Sequence, residues 1–347
     1  MEKHVVLFQT LENSKFKSDR MRKTIKAALK ANKIGFSTNK LSIEAKIAHF
    51  IPPFKLSSVE RAESFGKKIV ISAFYTEGEK TSSVSTYRNS RDLTKTNITS
   101  NYLKSFQIAD KILVPCEEFK ELLEKKGVKS SKIEVLNPGM NVQIYKYLPE
   151  TDMELTRRYY TINPDTKILL VFGNPKDKVA LKDVYKLCEI RKDCKIIFLA
   201  TNDYTVNGFV PWIKRLFAKK NPSNLIFTTF KDINVYRSLF KNSRALIYFD
   251  SILIDDIQLN EALAAEIQVI GYDRVFPKAF LEKDIVLHAD NEKDLFKTIS
   301  GYIDYQISGT ISNASFYIEE NDVKYMGAKL KEIYANLLTE ESDDDRY

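Results

Sequence analysis

The stretch ADKILVPCEEFKELLEKKGVKSSKIEVLNPG, residues 109–139, contains one complete strand–helix–strand unit. Residues 110–114 form a short apolar run that reads as a buried strand. Residues 116–126 read as a helix, and Gly127 is placed to end it. A second apolar run follows at 132–136, and Asn137-Pro138-Gly139 breaks the chain. The same rhythm extends outward on both sides. Toward the N-terminus, residues 4–9, 46–51 and 67–74 read as strands. Residues 15–33 read as a helix with Phe16, Met21, Ile25, Ala28 and Leu29 on one face. Residues 80–99, rich in Ser, Thr and Asn, read as a loop or weak helix. Toward the C-terminus, strands are expected at 167–173, 195–200, 224–229, 245–250, 268–273 and 285–290, with helical stretches between most of them.

Near-continuous apolar runs of this length suit parallel strands covered on both faces. At about 100–200 residues per domain, 347 residues make two domains. The polar connection at 149–166, with Pro149 and Pro164, marks the expected boundary. The expected fold is α/β: two Rossmann-like doubly wound domains facing a central cleft, over 1–150 and 165–320, then a helix from about 321 and an acidic tail. In such folds ligands sit outside the carboxyl ends of the strands.

Composition removes several function classes. With 44% apolar and 29% charged residues, the chain can build a sizeable core. No run approaches the roughly 18 apolar residues a spanning helix needs. The opening MEKHVVLFQTLENSK lacks the pattern of a secretory signal, and three scattered cysteines do not make a disulfide framework. A cytoplasmic protein is expected. His4, His49 and His288 are far apart in sequence, which argues against a zinc site. The net charge of +8 is unevenly spread: residues 1–150 carry 27 Lys and Arg against 16 Asp and Glu, and the rest carry 27 against 30. The first half therefore attracts anionic surfaces. Lys15, Lys17, Arg20, Arg22, Lys23, Lys26 and Lys30 concentrate on helix 15–33, as a solvated amphipathic face or as a contact to anionic lipid at the inner face of the membrane. The basic run has no interleaved aromatics and no nucleic-acid-binding motif, so nucleic acid is not expected as a partner.

Three passages resemble family-4 glycosyltransferases of the GT-B architecture. The first is the opening stretch, Ala109–Pro115 with Phe119, Gly127 and Lys132–Gly139, which is similar to the family's "ADKIIVPSEF … KGV … KIEVIPNG". The second runs from Tyr236–Phe240 through Ala245–Tyr248 to Glu261–Ala265 and Val269-Ile270. The third, Ile47–Phe50 with Lys68–Glu77, resembles the subgroup that glycosylates diacylglycerol. The resemblance implies transfer of a sugar from a nucleotide donor, such as a UDP-hexose, with retention of configuration. The second half would hold the nucleotide, and the first half a lipid-linked or saccharide acceptor. No resident cofactor is implied; a divalent cation beside the diphosphate stays open, as does pairing with another glycosyltransferase or a second copy.

Carried over by position, the resemblance gives Gly173, Asn174, Lys176, Lys178, Asp255, Asp256 and Glu261 as donor-side candidates, and His49, Phe74 and Glu77 as acceptor-side candidates. It assigns no catalytic residue. Several of these positions depart from the family. Asn174 follows Gly173 where the family has Arg, so Lys176 and Lys178 are the nearby cations. Leu253 stands where the first Glu of the family's Glu pair falls, and Ile254-Asp255-Asp256 replaces a Gly-Phe-Gly turn. Phe74 stands where a His is expected, and Lys15–Asp19 replaces a glycine-rich loop. An unusual active member and a relative acting as a binding or scaffolding subunit both fit this pattern. Each candidate also has a plainer reading. Glu261 would be a first-turn acid complementing its helix dipole. Lys176 and Lys178 would be solvated loop lysines, Asp255 and Asp256 a turn or N-cap pair, and His49 a satisfied histidine at a strand end.

Overall fold

The computed structural model describes residues 4–8, 16–39, 42–52, 54–73, 98–173, 178–200, 222–228, 232–249 and 257–344. The first half forms a six-stranded sheet from β1 (Val5–Phe8), β2 (Phe36–Ser37), β3 (Ile47–Phe50), β4 (Lys68–Ser72), β5 (Lys111–Val114) and β6 (Ile133–Val135). Its order is β2-β1-β3-β4-β5-β6. The second sheet holds β7 (Lys167–Gly173), β8 (Cys194–Ala200), β9 (Leu225–Thr228), β10 (Ala245–Phe249), β11 (Gln268–Tyr272) and β12 (Leu287–Ala289), in the order β12-β11-β10-β7-β8-β9. Every strand pairing described is parallel. The expected strands are all present. The two-residue β2, too short to show a period, was not expected.

Burial on both faces explains the continuous apolar runs. Along β1, Val5 and Leu7 enter one core and Val6 and Phe8 the other, as alternation of side chains across a strand requires. The second of these cores is closed by helices Leu56–Ser64, Ser100–Ile108 and Glu117–Lys125. The first is closed by helix Phe16–Ala31 and, from the far end of the chain, by helix Val323–Asp344. That last helix returns to the first half through Val323, Met326, Leu330, Ile333, Tyr334 and Leu337, at the spacing of one helical face. His49 of β3 is wholly buried beneath it. One ring nitrogen meets the Tyr334 hydroxyl at 2.6 Å and the other meets Ser72 Oγ at 2.7 Å.

The chain passes between the halves twice, and the two passages are hydrogen-bonded to each other. Met140 N–H donates to the Asn321 carbonyl and Val323 N–H donates to the Met140 carbonyl, each at 2.8 Å. Met140, Val142 and Tyr145 belong to the core of the second half. The polar stretch expected as a connection at 149–166 is partly helical, over Glu150–Met153 and Leu155–Tyr160. It packs on helix Ile233–Asn242, where Thr156 N–H donates to Ser238 Oγ at 3.0 Å.

Candidate functional site

The order of the second sheet reverses between β7 and β10, its two central strands. In an open parallel sheet the helices on either side of such a reversal diverge and leave a crevice outside the carboxyl ends. Gly173 is the last residue of β7 and is paired with Phe249, the last of β10. A Cβ at Gly173 would lie 3.0 Å from Phe198 Cε2 and 3.1 Å from the Phe249 carbonyl oxygen, so the bare backbone here is a packing requirement. The first sheet brings its own carboxyl edge against this one. Glu118, just beyond β5, accepts the N–H of Lys278, beyond β11, at 3.0 Å. Pro138, beyond β6, accepts from Asn260 Nδ2 at 3.5 Å.

Glu261 is the most constrained of the candidates. It is 3% exposed, and its two carboxylate oxygens accept from separate tyrosines. Tyr145 donates to Oε1, and Tyr236 donates to Oε2 at 2.9 Å. A carboxylate this deep needs such donors to offset its lost hydration. The reading of Glu261 as a first-turn acid is corrected. Its helix spans Ile257–Ala264 and begins four residues before it, so it stands one full turn in. Asn260, beside it, is likewise buried.

Lys178 is exposed and opens helix Lys178–Ile190. That helix follows β7, and its N-terminus carries partial positive charge. Asn174, Lys176, Asp255, Asp256, Phe74, Glu77 and Lys15 lie outside the described residues. His49 takes the plainer of its two readings: both nitrogens are occupied, and burial pushes its pKa down to about 3. On helix Phe16–Ala31, Met21, Ile25, Ala28 and Leu29 are buried as expected. At 100° per residue, Lys23, Lys26 and Lys30 fall on the opposite face and Arg22 at its border. Lys17 and Arg20 belong to the same helix.

The carboxyl edges of the two sheets add groups that sequence reasoning did not find. Asp273, directly after β11, meets His288 Nδ1 at 2.8 Å. Burial raises the Asp273 carboxyl, but hydrogen bonds with Asp290 and His288 prevail and hold it low. Sharing a hydrogen bond with Asp273 raises the Asp290 carboxyl in turn. Arg274 lies 4.2 Å over the Tyr272 ring and donates to the Asp290 carbonyl at 3.2 Å. Cys116, ahead of Glu118, is pushed up to about 12, chiefly by burial, and is a thiol rather than a nucleophile at neutral pH. No group of three or more His, Cys, Asp or Glu placed to hold a metal ion occurs among the described residues.

No protein-family model matches the sequence, and no curated protein matches it. Solved structures do. A glycosyltransferase from Rickettsia africae superposes with a TM-score of 0.71 at 17% identity, covering 97% of this chain and 99% of its own. HepE from Anabaena, in complex with UDP-glucose, gives 0.68 at 11% identity, covering 96% and 99%. WaaG, a glycosyltransferase involved in lipopolysaccharide biosynthesis, gives 0.63 at 12% identity, covering 95% and 99%. At such identities the likeness is one of fold. The chain has the GT-B-like architecture of these structures, two Rossmann-like domains facing a central cleft.

Proposed function

We propose that this protein is a glycosyltransferase that moves a hexose from a UDP-sugar, with retention of configuration, to a lipid-linked or saccharide acceptor. The observation that carries the reading is the reversal of strand order between β7 and β10, where Gly173 ends β7 and the carboxyl edge of a second parallel sheet lies opposite, the place where such sheets hold ligands. A structure of the same architecture, HepE, is known in complex with UDP and with UDP-glucose. In this reading the donor lies over β7 and β10. Its diphosphate meets Lys178 and the N-terminus of helix Lys178–Ile190. The negative charge that develops on the leaving group is stabilised by groups already in place. The acceptor approaches from the first half.

The same reading puts the protein on the inner face of an anionic membrane, through the lysine face of helix Phe16–Ala31. Among the described residues no helix is long and apolar enough to cross a membrane, so the contact is peripheral. The test is turnover of a panel of UDP-sugars with diacylglycerol-type and saccharide acceptors, with the anomeric configuration of the product read by NMR. Transfer with retention is expected. Binding of UDP without hydrolysis or transfer of any donor would instead make the chain a binding subunit.

A further inference from the structure

We infer that Tyr145 is a positioning residue that ties the donor-side helix Ile257–Ala264 to the connector between the two halves, so that occupancy of the crevice and the setting of the halves are coupled. The coupling rests on the donor reading above; the tie rests on geometry alone.

Two adjacent residues of one helix hold the connector on both sides of Met140. Asn260 donates to the Pro138 carbonyl at 3.5 Å, and Glu261 accepts from the Tyr145 hydroxyl. Between these two holds, Met140 makes both backbone bonds to the returning passage, at Asn321 and Val323. The neighbouring helix adds a third hold, Arg237 Nη2 donating to the Tyr147 carbonyl at 2.8 Å. Tyr145 itself is 7% exposed, and its ring stands edge-on to Phe240 with centroids 6.2 Å apart. Its hydroxyl can reach Glu261 only while the connector keeps this path.

The helix that makes these contacts follows β10, one wall of the crevice. A ligand hydroxyl that took a share of the Glu261 carboxylate would compete with the two tyrosines, one of which is the connector's own. A shift of the helix would likewise be felt at Pro138 and Tyr145 together. Glu261 thus acts on the connector through Tyr145, in addition to any contact it makes with a donor. Tyr236, on helix Ile233–Asn242 rather than on the connector, donates to the other oxygen of the same carboxylate and provides the comparison.

Hydrogen–deuterium exchange on the full-length chain tests this at the Met140 and Val323 amides. Tyr145→Phe keeps the ring and removes the hydroxyl; exchange at both amides is expected to rise about tenfold. Tyr236→Phe is expected to leave both unchanged. In the unmodified protein, saturating UDP is expected to slow both amides, and Tyr145→Phe to abolish that slowing. Unchanged exchange in Tyr145→Phe, or an equal rise in Tyr236→Phe, overturns the tie. Bound UDP that leaves the Met140 and Val323 amides of the unmodified protein unaffected overturns the coupling. Failure of UDP to bind at all, seen by calorimetry, removes the donor reading and with it the coupling, while the comparison of the two phenylalanine variants still decides the tie.

Discussion

Gly327 and Ala28 bring two helices from opposite ends of the chain into backbone contact. A Cβ at Gly327 would lie 2.2 Å from the Ala28 carbonyl oxygen and 2.0 Å from Asn32 Nδ2. Asn32 uses that amide to bond the carbonyls of Ala28, at 3.1 Å, and Lys324, at 2.9 Å. Gly327→Ala should therefore destabilise the protein by about 1–3 kcal/mol, read as a lowered urea midpoint. Helix propensity alone predicts the opposite sign, a gain of roughly 1 kcal/mol. A raised midpoint would show that the helices do not cross this closely.

The buried His49 gives the stability a pH dependence of definite sign. Its pKa is about 3 in the folded protein, against 6.5 for a free side chain. Between those values the unfolded chain binds a proton that the folded protein does not. Its contribution is fully present above about pH 6.5 and is lost as pH falls toward 3, at a slope of about 1.4 kcal/mol per pH unit. In His49→Gln this component is absent, so the decline of stability from pH 6.5 to 4 should be shallower than in the unmodified protein. Parallel declines would contradict the burial of His49.

Much of the architecture could be read from the sequence because it depends on local pattern. After Lys167, the run ILLVF at 168–172 is apolar throughout since β7 is central and covered on both faces. The site was less legible because its contacts are tertiary. Tyr145 and Glu261 are 116 positions apart, and no spacing rule joins them. The start of the Glu261 helix was hidden by the polar Gln258 and Asn260, which interrupt the apolar pattern that begins at Ala262. Asn260 is nevertheless buried, its amide aimed at the Pro138 carbonyl. His49 showed as a residue at a strand end, but its partner Tyr334 lies 285 residues away.

The membrane contact proposed for helix Phe16–Ala31 makes a salt-dependent prediction. Each lysine near an anionic surface is worth about 1 kcal/mol. Replacing Lys23, Lys26 and Lys30 together by Gln should therefore lower the partition constant onto phosphatidylglycerol vesicles about a hundredfold. Co-sedimentation at low and high salt measures it. Equal binding by the triple variant would place the contact elsewhere or remove it.

The central claim is that the crevice at the carboxyl ends of β7 and β10 takes a nucleoside diphosphate. Isothermal titration of the full-length chain with UDP tests it most directly, beside the exposed variant Lys178→Gln. One saturable site is predicted, weakened about tenfold or more in the variant by loss of a charge-assisted contact. A chain that is folded by circular dichroism and shows no saturable heat with UDP would contradict it.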